Sequence, residues 1–440
     1  MPSPAPGPVR PPVTARPPAD SRRALVAGSV GNFIEWYEFG VYGYFATVIA
    51  AQFFTPEGGG GAEALVKTYA SFALAFFFRP VGAALFGRLG DRIGRRPTLI
   101  LVICLMTGAT TLIGALPTYA SIGAAAPWLL TLLRIVQGLS AGGEFGGAVS
   151  IMTESAPPGR RGRYGAWQSF TVSLGLLAGA GAAALLATVL TGAQLNAWGW
   201  RIPFLLTLPL GLAALWLRLR LEETPAFEAA AGRAGGPVRR PPAAETARAV
   251  VLGAGRLMGW SAAGYTFLVV LPSYLQNTLH ATFQQALAAT VLANLGFAAS
   301  ILPAGMLSDR LGRRTVMLAG ALLVAVLALP LLNLVQDAGA SVYAKGAGLL
   351  AAGAAVGLMA GPGPAMLAEM FPTTVRYTGL GLAYALSNAV FSGSAGLIIT
   401  ELVAWTGDVD IPAYYAAAAC ALSALALLTL RGDDRDRALR

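Results

Sequence analysis

The chain has 440 residues, 55% of them hydrophobic and only 12% charged, against about 25% charged in soluble domains. With a mean hydropathy of +0.62, this excludes an ordinary soluble globular protein and points to a chain that crosses a membrane many times. The net charge of +10 is no nucleic-acid footprint, because nearly all the basic residues lie between apolar runs or at the termini.

The first twenty residues hold eight prolines and no apolar core of a signal peptide. Residues 1–23 therefore read as a disordered cytoplasmic tail, with the first span acting as an uncleaved anchor. Twelve apolar runs follow, at roughly 24–54, 64–86, 97–116, 127–153, 165–190, 198–220, 250–277, 282–305, 315–335, 343–368, 376–404 and 411–430. Each approaches the ~20 residues that a helical span requires. Helices are expected because lipid offers no partner to open backbone groups, and the runs are too long for barrel strands.

Charge sets the orientation. The even-numbered connections hold Arg88, Arg92, Arg95 and Arg96, then Arg160, Arg161 and Arg163, then Arg218 to Arg248, then Arg310, Arg313 and Arg314, and last Arg376. The odd-numbered connections hold only Lys67 and Lys345. Both termini are therefore expected in the cytoplasm. Residues 221–249 read as a polar central linker. It divides the chain into a six-helix half at 24–220 and another at 250–430, followed by a short cytoplasmic tail at 431–440.

An internal repeat supports that division. Asp91-Arg92-Ile93-Gly94-Arg95-Arg96 returns as Asp309-Arg310-Leu311-Gly312-Arg313-Arg314, 218 positions later. Glu154-Ser155-Ala156-Pro157 is answered by Glu369-Met370-Phe371-Pro372, 215 positions later. Each pair occupies the same place in its half, after the second and fourth spans. The expected fold is all-α, with twelve spans in two pseudo-symmetric halves, a design that transporters use.

A charge near the bilayer centre costs several kcal/mol unless it has a partner or a wet cavity. Glu35 and Glu38 share one face of span 1. Arg79 lies in span 2, Arg134 and Glu144 in span 4, and Arg201 at the outer end of span 6. Ten residues separate Arg134 from Glu144, about 15 Å of rise, so these two cannot pair directly. The second half offers Trp260, Tyr265, Tyr384 and Asn388 in place of charges. Guanidinium groups grip carboxylates with paired hydrogen bonds, which makes Arg79 and Arg201 the candidates for a substrate carboxylate. Tyr42, Tyr265, Tyr384 and Asn388 are the hydrogen-bonding candidates. Glu35, Glu38, Arg134 and Glu144 are the proton-coupling candidates. A carboxylate that pairs with an arginine in the empty cavity would take up a proton when substrate claims that arginine.

With a single histidine, His280, in an outer connection and only two cysteines, Cys104 and Cys420, the sequence holds no Ser/His/Asp set and no metal-ligand cluster. Neither an enzyme nor a cofactor is expected, and protons are the coupling ion.

The loop Gly87-Arg88-Leu89-Gly90-Asp91-Arg92-Ile93-Gly94-Arg95-Arg96 resembles that of the major facilitator superfamily. Gly31-Asn32-Phe33-Ile34-Glu35-Trp36-Tyr37-Glu38-Phe39-Gly40, Phe78-Arg79-Pro80, Arg134-Ile135-Val136-Gln137-Gly138, Gly142-Gly143-Glu144-Phe145-Gly146-Gly147, Trp200-Arg201-Ile202-Pro203-Phe204 and Leu221-Glu222-Glu223-Thr224-Pro225 narrow the resemblance. They are similar to the metabolite:proton symporter branch, which includes osmolyte, citrate, 2-oxoglutarate and shikimate carriers. Glu38 stands where that branch usually has Asp, and Phe145 where Tyr is common. The resemblance implies substrate-binding positions at Arg79 and Arg201. It also implies a cytoplasmic gate in which the loop aspartate meets a neighbouring helix N-terminus and arginines. Gly87, Asp91, Arg92, Arg95, Arg96 and Glu154 form its first copy, and Asp309, Arg310, Arg313, Arg314 and Glu369 its second.

The expected function is proton-coupled uptake of a small organic metabolite by alternating access. A di- or tricarboxylate or 2-oxo acid is favoured, because two arginines are available. A proline- or betaine-type zwitterion is the alternative, and a non-transporting membrane sensor on the same fold is the alternative from another class. The expected partners are the substrate, protons and the lipid bilayer, with no nucleic acid. The expected state is a monomer in a bacterial-type inner membrane.

Overall fold

The computed structural model describes residues 18–55, 61–93, 95–154, 156–157, 159–219, 241–372 and 375–430. Side chains are described for these except 18–28, 61–62, 88, 90–93, 95–96, 151 and 154. The described residues form twelve helical spans and no strand. Residues 1–17 and 431–440 of the expected tails and 221–240 of the expected linker lie outside the described residues, whereas 18–23, expected as disordered tail, and 243–249, expected as linker, are helical.

Span 1 covers 18–54, ending in a short helix Ala46–Ile49 and a π-helical turn Ala50–Phe54. Span 2 joins Gly61–Phe77 to Arg79–Ile93, and span 3 is Arg95–Ala115. Span 4 is Ala125–Gly142 and Glu144–Glu154, interrupted at Gly143. Span 5 is Arg161–Val189 and span 6 covers 192–219. Span 7 is Ala243–Tyr265 with a π-helical turn Thr266–Val270 and the helix Leu271–Asn277. Spans 8 and 9 are Phe283–Leu311 and Arg313–Gln336. Spans 10, 11 and 12 are Val342–Met370, Arg376–Thr406 and Ile411–Leu428.

Span 1 begins at Pro18, six residues before the apolar run, and span 7 at Ala243, seven before. Hydropathy marks what must be buried in lipid. Span 7 continues past it because Ala243, Ala244, Glu245 and Ala247 are good helix formers.

Nine of the described spans are long and apolar enough to cross a membrane by length and composition alone. Spans 1, 4 and 7 fall outside that set. Span 1 carries Glu35 and Glu38 at its middle, span 4 is interrupted between Arg134 and Glu144, and span 7 carries Glu245, Arg248 and Arg256. Two of the three, spans 1 and 4, carry the buried Glu35, Glu38, Arg134 and Glu144.

The halves meet along spans 5 and 8 and along spans 2 and 11, two contacts related by the internal repeat. Small residues make the closest approaches, as in other helices packed in lipid. A Cβ at Gly138 of span 4 would collide with the carbonyl of Ala75 in span 2. A Cβ at Gly353 of span 10 would collide with the carbonyl of Ala293 in span 8. Gly138 and Gly142 of span 4, which face Ala75 and Arg79 of span 2, recur 215 positions later as Gly353 and Gly357 of span 10, which face Ala293 and Phe297 of span 8, so the same glycine seam is built twice.

Candidate functional site

Three acid–base constellations lie beside span 1, all in the first half. Glu35 forms an ion pair with Arg79 of span 2, Arg79 Nη2 to Glu35 Oε1 at 3.1 Å, with both side chains buried. The Arg79 guanidinium also faces rings: its Cζ lies 4.3 Å from the centroids of Phe39 and Phe76 and 5.3 Å from that of Trp36. Desolvated contacts of this kind stabilise a cation by about 2 kcal/mol or more.

The second constellation joins its acid to its base through neutral residues. Arg134 Nη1 donates to Gln137 Oε1 at 2.7 Å, and Gln137 Nε2 donates to Thr110 Oγ1 at 2.5 Å. Thr110 Oγ1 donates to Glu38 Oε2 at 2.7 Å. All four residues are fully buried. Glu38 Oε1 and the Arg134 Nε and Nη2 have no hydrogen-bond partner. Arg134 Cζ lies 4.1 Å from the Tyr42 ring centroid and 4.9 Å from that of Phe39, so Phe39 touches both buried arginines. Tyr42 itself bonds Ser71 Oγ at 2.6 Å.

The third pairs Glu144 with Arg218 of span 6, whose Nη1 donates to the Leu99 carbonyl at 2.7 Å. Arg218 was counted above as a loop charge. It is buried in the bundle, 3% exposed.

A narrow cavity lies between the halves. Trp36, Val172 and Leu176 line it from the first half; Trp260, Tyr265, Phe297, Tyr384, Asn388, Ser261 and Ser392 line it from the second. Trp36 thus borders the cavity and also faces Arg79. Tyr384 stacks on Phe145 of the first half, centroids 3.5 Å apart and rings 3° from parallel. The hydroxyls of Tyr265 and Tyr384 are buried without a hydrogen-bond partner. Asn388 Nδ2 donates to the Tyr384 carbonyl at 2.9 Å.

Arg201 is not brought to this cavity. Its Nη1 donates to the carbonyls of Gly114 and Leu116, at 2.8 and 2.7 Å, at the C-terminal end of span 3. There it satisfies carbonyls that a helix end leaves open.

The Arg-rich end of the bundle is closed by the second-half loop. Asp309 accepts from the backbone N–H groups of Gly162 and Arg163, at 2.8 and 2.9 Å, at the N-terminus of span 5. An anion is favoured there by the helix dipole. Arg313 bridges Asp309 at 2.7 Å and Glu369 at 3.0 Å, and Arg161 lies 3.8 Å from Glu369. Arg310 is exposed and Arg314 half-buried. Gly87 is buried facing Tyr377 and Thr378 of span 11. The side chains of Asp91, Arg92, Arg95, Arg96 and Glu154 lie outside the described residues. At the opposite end Tyr69 bonds Ser273 Oγ at 2.7 Å, and Gln284 Nε2 donates to the Ala187 carbonyl at 2.6 Å. The halves are therefore bonded to each other at both ends, with the cavity between.

Sequence reasoning named Glu35, Glu38, Arg79 and Arg134 but missed what joins and encloses them. Phe39 and Gln137 stand in the quoted motifs without a role of their own, Thr110 and Arg218 stand outside them, and only tertiary packing places the four on the acids and arginines. The Arg134-x-x-Gln137 spacing, one turn of helix, was the one signal available.

Two helical half-bundles enclose a cavity lined by both, a design that secondary transporters use. Residues 24–236 match the family model described as sugar (and other) transporter, and residues 253–439 match that of the major facilitator superfamily. The chain belongs to the major facilitator superfamily. It is similar to the alpha-ketoglutarate permease of Escherichia coli, 37% identical over 87% of this chain and 88% of the relative. It is also similar to the proline/betaine transporter of Salmonella typhimurium, 34% identical over 90% and 80%, and to the ectoine/proline transporter of Corynebacterium glutamicum, 35% identical over 94% and 85%. In fold it resembles the proton:xylose symporter bound to 6-bromo-6-deoxy-D-glucose, with a TM-score of 0.77 at 19% identity, covering 92% and 95% of the two chains. It is therefore a multi-pass inner-membrane transporter of a small solute and not an enzyme.

Proposed function

We propose that this chain is a proton-coupled symporter that takes up a small carboxylate-bearing metabolite by alternating access, with its Arg-rich face in the cytoplasm. The observation that carries this reading is the buried Glu35–Arg79 pair, set behind Trp36 at the wall of the cavity between the halves. When a substrate carboxylate takes Arg79, Glu35 loses its counter-charge and binds a proton, since an unpaired buried carboxylate is strongly disfavoured. Substrate and proton then travel together. Glu38, linked to Arg134 through Thr110 and Gln137, belongs to the same coupling machinery in this reading.

The favoured substrate shifts within the class. The expectation of a di- or tricarboxylate leaned on two available arginines, and Arg201 is engaged by two carbonyls. One arginine matches one carboxylate. The aromatic faces of Trp36, Trp260, Tyr265 and Tyr384 suit an apolar or ammonium-bearing remainder, as in proline or betaine. A 2-oxo dicarboxylate is the second reading, supported by the unpartnered Nε and Nη2 of Arg134 beside the shared ring of Phe39. Proteoliposomes given labelled proline, betaine and 2-oxoglutarate, with and without an imposed pH gradient, test both. Accumulation of proline or betaine that collapses with the gradient is the expected result, and accumulation of 2-oxoglutarate alone selects the second reading. Uptake of every solute unaffected by collapsing the gradient would refute symport.

A further inference from the structure

We infer that Glu144 and Arg218 form a second proton station between the Glu35–Arg79 pair and the Arg-rich face, with Arg218 as the positioning residue; the inference rests on the reading of Glu35–Arg79 as the coupling pair. Glu144 is the first residue after the interruption of span 4 and is 5% exposed. Arg218 holds it from span 6 and is itself held by the Leu99 carbonyl of span 3. Gly31 of span 1 lies directly against the pair: a Cβ there would run into both Arg218 Nη2 and Glu144 Oε1. Glu35 follows Gly31 by four residues, about 6 Å of helical rise. The backbone of span 1 thus leads from one pair to the other within about one turn.

Among the described side chains, the charged groups facing Glu144 are Arg218 in contact, and Glu35 and Glu38 of span 1 within electrostatic reach. A buried ion pair seldom stabilises a fold more than apolar residues of the same volume would. Helix packing alone therefore does not account for two charges at this depth.

The station is tied to the opening of the Arg-rich face. The carbonyl of Gly143, the residue before Glu144, accepts a hydrogen bond from the Tyr377 hydroxyl of span 11 at 2.6 Å. Span 11 belongs to the other half, so separation of the halves at that end removes this anchor and admits water to Glu144. The proton leaves the Glu35 carboxyl through water and binds the Glu144 carboxylate, and Glu35 regains Arg79. The proton then leaves Glu144 to water at the open face, and Glu144 regains Arg218. One proton moves, and each acid returns to its ion pair.

The test uses the full chain in proteoliposomes with labelled proline, or 2-oxoglutarate if the wild type takes that instead. Two rates are read: accumulation driven by a pH gradient, and exchange of labelled for unlabelled solute without one. Glu144→Gln is expected to lower accumulation at least tenfold while exchange stays within threefold of wild type. Because that variant leaves Arg218 unpaired, the double variant Glu144→Gln with Arg218→Gln is measured beside it, with the same split expected. Arg218→Lys is expected to recover accumulation lost in Arg218→Gln. Accumulation by the double variant within twofold of wild type, or loss of its exchange together with its accumulation at normal expression, would overturn the proposal and leave the pair as a helix brace. Glu35→Gln separates the two readings. If it abolishes accumulation and Glu144→Gln does not, only the second station falls. If it leaves accumulation intact, the coupling reading falls as well.

Discussion

The two halves share a backbone plan and differ in chemistry. Both build a glycine seam between their second and fourth spans, against Ala75 in one and Ala293 in the other. Yet the first half places three acid–base constellations beside span 1. The corresponding centre of the second half is neutral: Ser261 and Ser387 share a hydrogen bond of 2.9 Å, Ser392 donates to the Ser261 carbonyl at 3.2 Å, and tyrosines and Trp260 fill the remainder. A duplicated scaffold here holds its acids and bases in one half and neutral hydrogen-bonding groups in the other. In the proposed coupling, the charges that exchange partners sit together in one half. The facing half can then move across them without carrying an ion pair through the cavity.

The division is tested most severely at Arg79. Arg79→Ala leaves Glu35 without its partner in a buried site, which costs about 3–5 kcal/mol, and it removes the arginine that faces Trp36 behind the cavity wall. Solute affinity is expected to fall ~100-fold or more, read by equilibrium binding on purified protein. Asn388→Ala, on the neutral side, is expected to weaken binding by less than about tenfold. Equal losses at the two positions would erase the distinction between the halves.

The latch gives an intermediate effect. Asp309 belongs to the second half and binds the N-terminus of span 5 in the first. Asp309→Asn keeps an acceptor but loses the charge that meets both the helix dipole and Arg313. A loss of about 1–2 kcal/mol moves the balance between open and closed forms roughly fivefold to thirtyfold. Transport rate should fall by that order, with binding affinity within about threefold, as measured by uptake and binding on the same preparation. Full transport would make the loop a topology signal only. A large loss of affinity would mean that the charged centre is not independent of the latch.

Much of the architecture was legible because lipid imposes it. Apolar runs, arginine-bearing connections and the Asp-Arg-x-Gly-Arg-Arg repeat need no tertiary information. The second glycine seam was not read from the sequence, although it stands at the 215-residue offset found for Glu154 and Glu369; only Ala293 and Phe297, packed against Gly353 and Gly357, reveal it. Arg218 and Arg201 show where reading stops. Arg218 follows an apolar run and has the sequence context of a topology charge; only Glu144 and the Leu99 carbonyl, more than 70 and 110 residues away, draw it inward. Arg201 has the context of a substrate arginine, and the open carbonyls at the end of span 3 claim it first.

The smallest effect is the sharpest test of the neutral half. The hydroxyls of Tyr265 and Tyr384 are buried without partners, an arrangement that costs about 1–3 kcal/mol for each group left unmade. Removing such a hydroxyl deletes no hydrogen bond from this state, so Tyr384→Phe is expected to leave thermal stability unchanged or to raise it slightly. If the hydroxyl meets solute in the loaded cavity, the same variant should weaken binding by about threefold to tenfold, the size of one ordinary hydrogen bond. Stability and affinity thus move in opposite directions, a pattern that ordinary packing does not produce. The stacked ring of Phe145, 3.5 Å away, is kept in the variant, so a loss of stability would mean that the hydroxyl has a structural partner. An unchanged affinity would remove Tyr384 from the solute site and leave Asn388 and Tyr265 as the hydrogen-bonding groups opposite Arg79.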